Sequence, residues 1–398
     1  MKRINKFLFY AVMLLLSIFI YISAFNLGFD TEGEGSGYLL YIGSLLGVEF
    51  FSVLYIIINI KKITVRKFLF FVLLWIVFMT FTQCFSGRFI TNIGQVLYWP
   101  ICFLVFYLFV RSDSKNFDRI THWYIFYFII GFIVFVIVSI TKTSLNLDNS
   151  LASTNNIFYP LLVLPWVLVQ KRISVRNVLI LLLLFAVTLS AKRSAMLVVF
   201  LILLPYLYYA FLKNPKISAK TRFFAPLILL IICSFIFIKI NNAFDGYIWK
   251  RFESIEEDKG SGRLDIYANV YDMQMNSSIE EWIVGHGHQG VLRNYNGPWG
   301  EFSAHNDFQE VLYDYGIIVF ILYLCLYFIL FRKLYLLYRQ KSEYFISYFG
   351  GIIIFLNMSA MSHLILYPTY FIFLTSFWGA MEGVTDNQRK VIESLRVY

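Results

Sequence analysis

Three of the chain's five histidines fall within one polar stretch, residues 242–315. His305 and Asn306 stand just ahead of Phe308, Val311, Leu312 and Tyr315, which recur at helical spacing. Ser303 is the expected N-cap, which would put His305 in the first helical turn. An imidazole with an ordinary pKa near 6.5 accepts a proton at neutral pH, and the positive end of a helix disfavours its charged form. The same helix end presents N–H groups to an anion. Upstream, Gly285-His286-Gly287-His288-Gln289-Gly290 reads as a tight turn with exposed backbone. Permanent, planar guanidinium charges grip phosphate in a fork; Lys192-Arg193 and Arg88 stand near the ends of apolar runs, and Arg263 stands within the polar stretch. His286, His288 and His305 could in principle hold a transition metal. No carboxylate or cysteine stands at ligand spacing beside them, so neither a metal nor a cofactor is expected.

The elements that must position these residues are membrane helices. The chain is 59% hydrophobic and 15% charged, with mean hydropathy +0.68. Soluble domains run at about 45–50% apolar and about 25% charged. A water-soluble enzyme, a disordered chain and a disulfide scaffold are set aside. Cys84, Cys102, Cys233 and Cys325 lie in apolar runs and read as packing residues. About twelve apolar runs reach or approach the length that spans a bilayer: roughly 5–25, 37–60, 68–84, 93–110, 122–140, 156–170, 177–190, 195–212, 223–241, 316–338, 344–363 and 367–384. Lys192-Arg193 separates the seventh from the eighth, since that pair is costly at the bilayer centre. With the N-terminus inside, 24 of the 34 basic residues fall in inner segments and 4 in short outer ones. Both termini are therefore expected in the cytoplasm, and the net charge of +10 reflects orientation, not nucleic-acid binding. The first run lacks a small-x-small cleavage site and reads as an uncleaved span.

The expected fold is an all-α polytopic membrane protein. Residues 1–241 form spans one to nine, 242–315 a large extracytoplasmic loop folded as a small helical lid, and 316–398 spans ten to twelve with a cytoplasmic tail. The loop carries 13 of the 24 acidic residues. Within it, Leu264, Tyr267, Ala268, Tyr271 and Met275 predict an amphipathic helix lying on the bundle. Glu49 lies mid-span beside Gly43-x-x-x-Gly47, a close-packing signal. It reads as functional or as a protonated carboxyl facing a neighbouring helix. His363, near the outer end of span eleven, could reach the outer cavity or be an interfacial histidine.

Gly262-Arg263, Gly285-His286-Gly287, His305-Asn306, Glu310 and Gly316, in that order before a span, resemble the O-antigen polymerase and ligase superfamily. Thr188-Leu189-Ser190-Ala191-Lys192-Arg193-Ser194-Ala195 resembles that family's basic turn, and Thr154-Asn155-Asn156-Ile157 its asparagine at an outer mouth. The resemblance implies a metal-independent glycosyltransferase of the bacterial cytoplasmic membrane. Its donor would be a glycan on a polyprenyl diphosphate, typically undecaprenyl, and its acceptor another glycan, used on the outer face. Membrane lipids, a flippase and a chain-length regulator of the same pathway are the expected partners. The reaction would need a base, for which His305 is expected, and cations on the leaving diphosphate, for which Arg263 and Arg193 are expected with Lys192 and Arg88 as helpers. Asn306, Gly285, His286, Gly287 and Asn156 would line the substrate site. Each cation also fits an interfacial anchor, and Arg263 could pair with Asp265. A polymerase of surface polysaccharide is the leading reading, a ligase the nearest rival. A transporter of lipid-linked sugar would place charge along a membrane path, where only Glu49 stands clearly, and a non-enzymatic assembly subunit would leave His305 dispensable.

Overall fold

The computed structural model describes residues 2–25, 37–64, 67–85, 89–144, 155–209, 218–254, 262–297 and 303–396. Arg88, Thr154 and residues 255–261 and 298–302 of the large loop lie outside them. All regular structure among the described residues is helical. Backbone polar groups in lipid must be satisfied within one segment, and the helix does this. Among the described residues, five helices are long and apolar enough to cross a membrane: Arg3–Ala24, Tyr38–Lys62, Gly94–Ser112, Lys115–Ser144 and Asp307–Arg339. A pair bent by 96°, Leu230–Ala243 and Tyr247–Glu253, makes a sixth if it is one broken span. The other expected spans include five shorter apolar helices, Phe68–Cys84, Asn155–Leu168, Ile173–Leu189, Arg193–Leu207 and Phe345–Met361. The last expected span lies within Pro368–Arg396, which turns polar beyond Gly383. Large apolar side chains such as Phe50, Val77, Ile133, Phe200 and Phe328 stand on helix exteriors, as lipid-facing positions require. The chain is an integral membrane protein.

The backbone divides into two compact units. The first comprises Met1–Tyr124, Gly262–Leu336 and Met358–Tyr398. Its centre is the packing of Pro368–Arg396 against Phe89–Ser112. Gly379 and Gly383 allow that approach, since a Cβ there would lie 2.3 Å from the Phe103 carbonyl oxygen and 2.7 Å from that of Tyr107. Trp75, Trp99, Phe371 and Trp378 interlock beside it in edge-to-face pairs. Of the expected Gly43/Gly47 seam, only Gly47 is closely approached, since a Cβ there would lie 3.0 Å from Leu15 Cδ1, while Gly43 faces open space. The Glu49 carboxylate packs against Gly94, 3.1 Å from where a Cβ would stand.

The second unit comprises Ile125–Ser261 and Leu337–Asn357. Its sixth expected span is a set of short turns, Asn155–Ile157, Phe158–Leu162 and Leu164–Leu168, buried from Asn156 to Leu168. Ala191, in left-handed backbone (φ +49°), separates Ile173–Leu189 from Arg193–Leu207, so the break falls where the Lys-Arg pair predicts it. Among the cysteines whose side chains are described, Cys102 is buried, but Cys84 and Cys325 lie on helix exteriors. Burial in lipid does not require burial in protein, which is why the packing expectation fails for those two.

Candidate active site

In the first unit the glycine turn docks onto a kinked helix. Ser278 and Glu281 form a reciprocal capping box at the start of Ile279–Val284, and Gly285 ends that helix at φ +76°, ψ −179°. Gly316 kinks Asp307–Arg339 with a nearly identical conformation, φ +73°, ψ −179°. The two meet face to face. His286 N–H donates to the Tyr313 carbonyl (3.0 Å) and Gly287 N–H to that of Asp314 (2.7 Å). A Cβ on Gly285 would lie 2.3 Å from the Asp314 carbonyl oxygen, and one on Gly316 2.3 Å from that of Ile283. Glycine is therefore a steric requirement on both sides of the contact.

His286 stacks on Tyr313 (4.0 Å, 15°) and lies 3.0 Å from Ser277 Oγ. Burial and the Arg293 charge lower its pKa, with Glu281 opposing. His288 is 1% exposed. Its Nε2 lies 3.0 Å from Gln95 Oε1 and its Nδ1 2.6 Å from the Tyr315 hydroxyl. A neutral ring that donates from Nε2 and accepts at Nδ1 satisfies both partners. Burial, reinforced by Arg293, pushes its pKa down to about 4. Arg293 donates to the carbonyls of His286 and His288 and so clamps the turn. No motif in the sequence marks that arginine.

His305 stands elsewhere than its sequence suggests. Asn306, not Ser303, caps the helix: its Oδ1 accepts the N–H groups of Phe308 (2.9 Å) and Gln309 (3.4 Å). His305 therefore precedes the helix, in left-handed backbone at φ +51°. The reason is a competing acceptor, since Glu310 takes the N–H groups of Ala304 and His305. The His305 ring stacks on His363 (4.8 Å, 21°), and His363 stacks on Tyr367 (3.9 Å, 25°). His363 lies beyond the end of Phe345–Met361. Burial first, then the charges of His305 and Arg263, push its pKa down to about 3.

Arg263 opens helix Arg263–Met275, and its charge also acts on Tyr267. The Tyr267 hydroxyl lies 3.2 Å from the Ala360 carbonyl and 3.4 Å from that of His305, and Asn306 hydrogen-bonds it. Arg263, His305 and Asn306 thus come together, with His363 and Tyr267 added. The expected apolar stripe on this helix is not its buried face. Leu264 and Tyr271 are 60% and 57% exposed, while Ile266 and Val270 pack with Val291, Tyr295, Ala304 and Tyr313.

Three buried carboxylates on one face of Asp307–Arg339 bind these loops. Asp307 accepts from Leu364 N (2.8 Å), Ile365 N (3.1 Å) and Ser359 Oγ (2.9 Å). Glu310 holds the His305 turn, and Asp314 accepts from Val291 N (2.9 Å) in the glycine segment. A cavity of about 90 Å³ is lined by Gln95, His288, Ser303, Glu310, Asp314 and Tyr367, with apolar residues such as Val291 and Leu366 among the rest.

The remaining expected residues belong to the second unit. Lys192 Nζ donates to Asn155 Oδ1 (2.8 Å), and Arg193 Nη1 to the Arg251 carbonyl (2.8 Å). Asn156 is buried, and its exposed neighbour Asn155 is the asparagine that meets the lysine. No group of three potential metal-ligating side chains occurs among the described residues.

No curated protein matches the chain. The family model described as O-antigen ligase matches residues 178–324, the span that holds Lys192, Arg193, Arg263, the glycine turn and His305. Over residues 178–324, then, the chain is similar to the O-antigen ligase family, in line with its resemblance to the polymerase and ligase superfamily.

Proposed function

We propose that the protein is a metal-independent membrane glycosyltransferase that polymerises oligosaccharide repeats carried on a polyprenyl diphosphate. It acts on the outer face of the bacterial cytoplasmic membrane, with both termini inside. The observation that carries this reading is the convergence of His305, Asn306 and Arg263 within the region that matches the O-antigen ligase family. A hydroxyl of the acceptor glycan gives its proton to the His305 imidazole as its oxygen attacks the donor's anomeric carbon. The bond from that carbon to the diphosphate oxygen breaks, and the electron pair leaves on the lipid diphosphate. Arg263 neutralises that developing charge. His286 and the glycine turn shape the substrate site. A flippase would supply the donor, and a chain-length regulator would act on the product.

Glycan analysis of a deletion strain tests the reading. Loss of polymer with single-repeat product remaining is expected. Persisting lipid-linked polymer that is not attached would make the protein a ligase, which needs the same donor site. Unaltered glycans would refute both. Complementation with His305→Ala should fail, because a positioned base contributes about 10²–10⁴ in rate.

A further inference from the structure

His363 belongs to no sequence motif of the site, yet its ring stacks on that of His305. Its loop is fastened to the His305 turn by one buried carboxylate. Asp307, two residues after His305, accepts the two backbone N–H groups that follow His363, at 2.8 and 3.1 Å, together with the Ser359 hydroxyl. The rings then lie nearly parallel in the order His305, His363, Tyr367, with centroids 4.8 and 3.9 Å apart. No hydrogen bond or ion pair within the described residues engages the His363 ring. Among the described residues its ring-to-ring contacts are the two stacks.

We infer that His363 is a positioning residue for His305: a flat imidazole platform, tethered through Asp307, that fixes the plane in which His305 receives the acceptor's proton. This rests on His305 being the base. The charged groups around the platform agree with such a role. Arg263 approaches from its own helix, Asp307 and Glu310 lie on the helix that follows His305, and Tyr367 covers the far face. Burial, the charge of His305 once it is protonated, and that of Arg263 hold His363 neutral down to about pH 3. It therefore stays uncharged when His305 takes up a proton, and two imidazolium rings never face each other across 4.8 Å.

The test uses the purified full chain in detergent. Its substrate is the single-repeat lipid-linked fraction extracted from the deletion strain. His363→Ala should lower kcat about tenfold, near the upper limit for an aromatic stack, with the donor KM unchanged. His363→Phe keeps a flat ring and should restore most of the rate. In a His305→Ala background His363→Ala should have no further effect, because the platform acts only through His305. Melting midpoints recorded for every variant separate loss of fold from loss of positioning. If His305→Ala is impaired while His363→Ala is silent, or costs the same in both backgrounds, the inference fails alone. Full activity of His305→Ala overturns the base assignment and this inference with it.

Discussion

Gly316→Ala should break the docking of the glycine turn while leaving every candidate catalytic side chain in the sequence. At φ +73°, ψ −179° the residue occupies a region open essentially to glycine alone, and holding alanine there costs about 1–3 kcal/mol. The added Cβ would also lie 2.3 Å from the Ile283 carbonyl oxygen, 2.5 Å from its carbon and 2.8 Å from Gly285 N. These are backbone atoms and cannot swing aside. Forcing a methyl into such a contact adds roughly another 1–3 kcal/mol. Even the lower sum, roughly 2 kcal/mol, should lower the melting midpoint of the detergent-solubilised protein by about 2 °C or more. Transferase activity should fall with it, because the displaced turn carries His286 and His288. Gly285→Ala meets the same contact from the other side, so the double variant should cost less than the sum of the two singles. Gly43→Ala is the internal control. It lies in a helix with open space around it and should not destabilise, since alanine is the better helix former. A Gly316→Ala protein with wild-type melting and activity would refute the steric argument.

The buried His288 predicts acid sensitivity. Its folded pKa of about 4 lies below the unfolded value near 6.5, so between those pH values the unfolded chain binds a proton that the folded chain does not. Stability should therefore fall as pH drops from about 6.5 toward 4, by something on the order of 3 kcal/mol from this residue. His288→Gln, which offers a donor and an acceptor but does not titrate, should flatten the melting midpoint over that range; an unchanged pH profile would count against the burial. Arg263→Ala and Arg193→Ala should each impair turnover, with Arg→Lys rescuing only partly because lysine lacks the planar fork. Equal activity in all four variants, measured on the extracted lipid-linked repeats, would reduce both residues to anchors.

What the sequence revealed and what it hid divide along a physical line. Helices in lipid must be apolar over their length, so their positions are legible from hydropathy, and the break at Ala191 follows from the expense of burying Lys192 and Arg193. His305 and the glycine turn are legible because polar, glycine-rich sequence stands out between such helices. Which way a helix faces is another matter. Lipid tails are as apolar as leucine, so hydrophobicity no longer separates inside from outside. The stripe of Leu264, Tyr271 and Met275 therefore pointed to the wrong face, while polar Gln274 is buried. Along Pro368–Arg396 the inward positions include Thr375, Ser376, Gly379, Gly383 and Asp386, small or polar residues that permit close approach or bond across helices. The cap at His305 was hidden for a related reason. Ser303 and Asn306 are both competent caps, and the choice between them follows from Glu310, whose carboxylate takes the N–H groups of Ala304 and His305. Arg293 and Asp307 act on the backbone carbonyls and N–H groups of other loops. Backbone partners leave no mark on residue identity, so the side chains that hold this site together are those a single sequence conceals best.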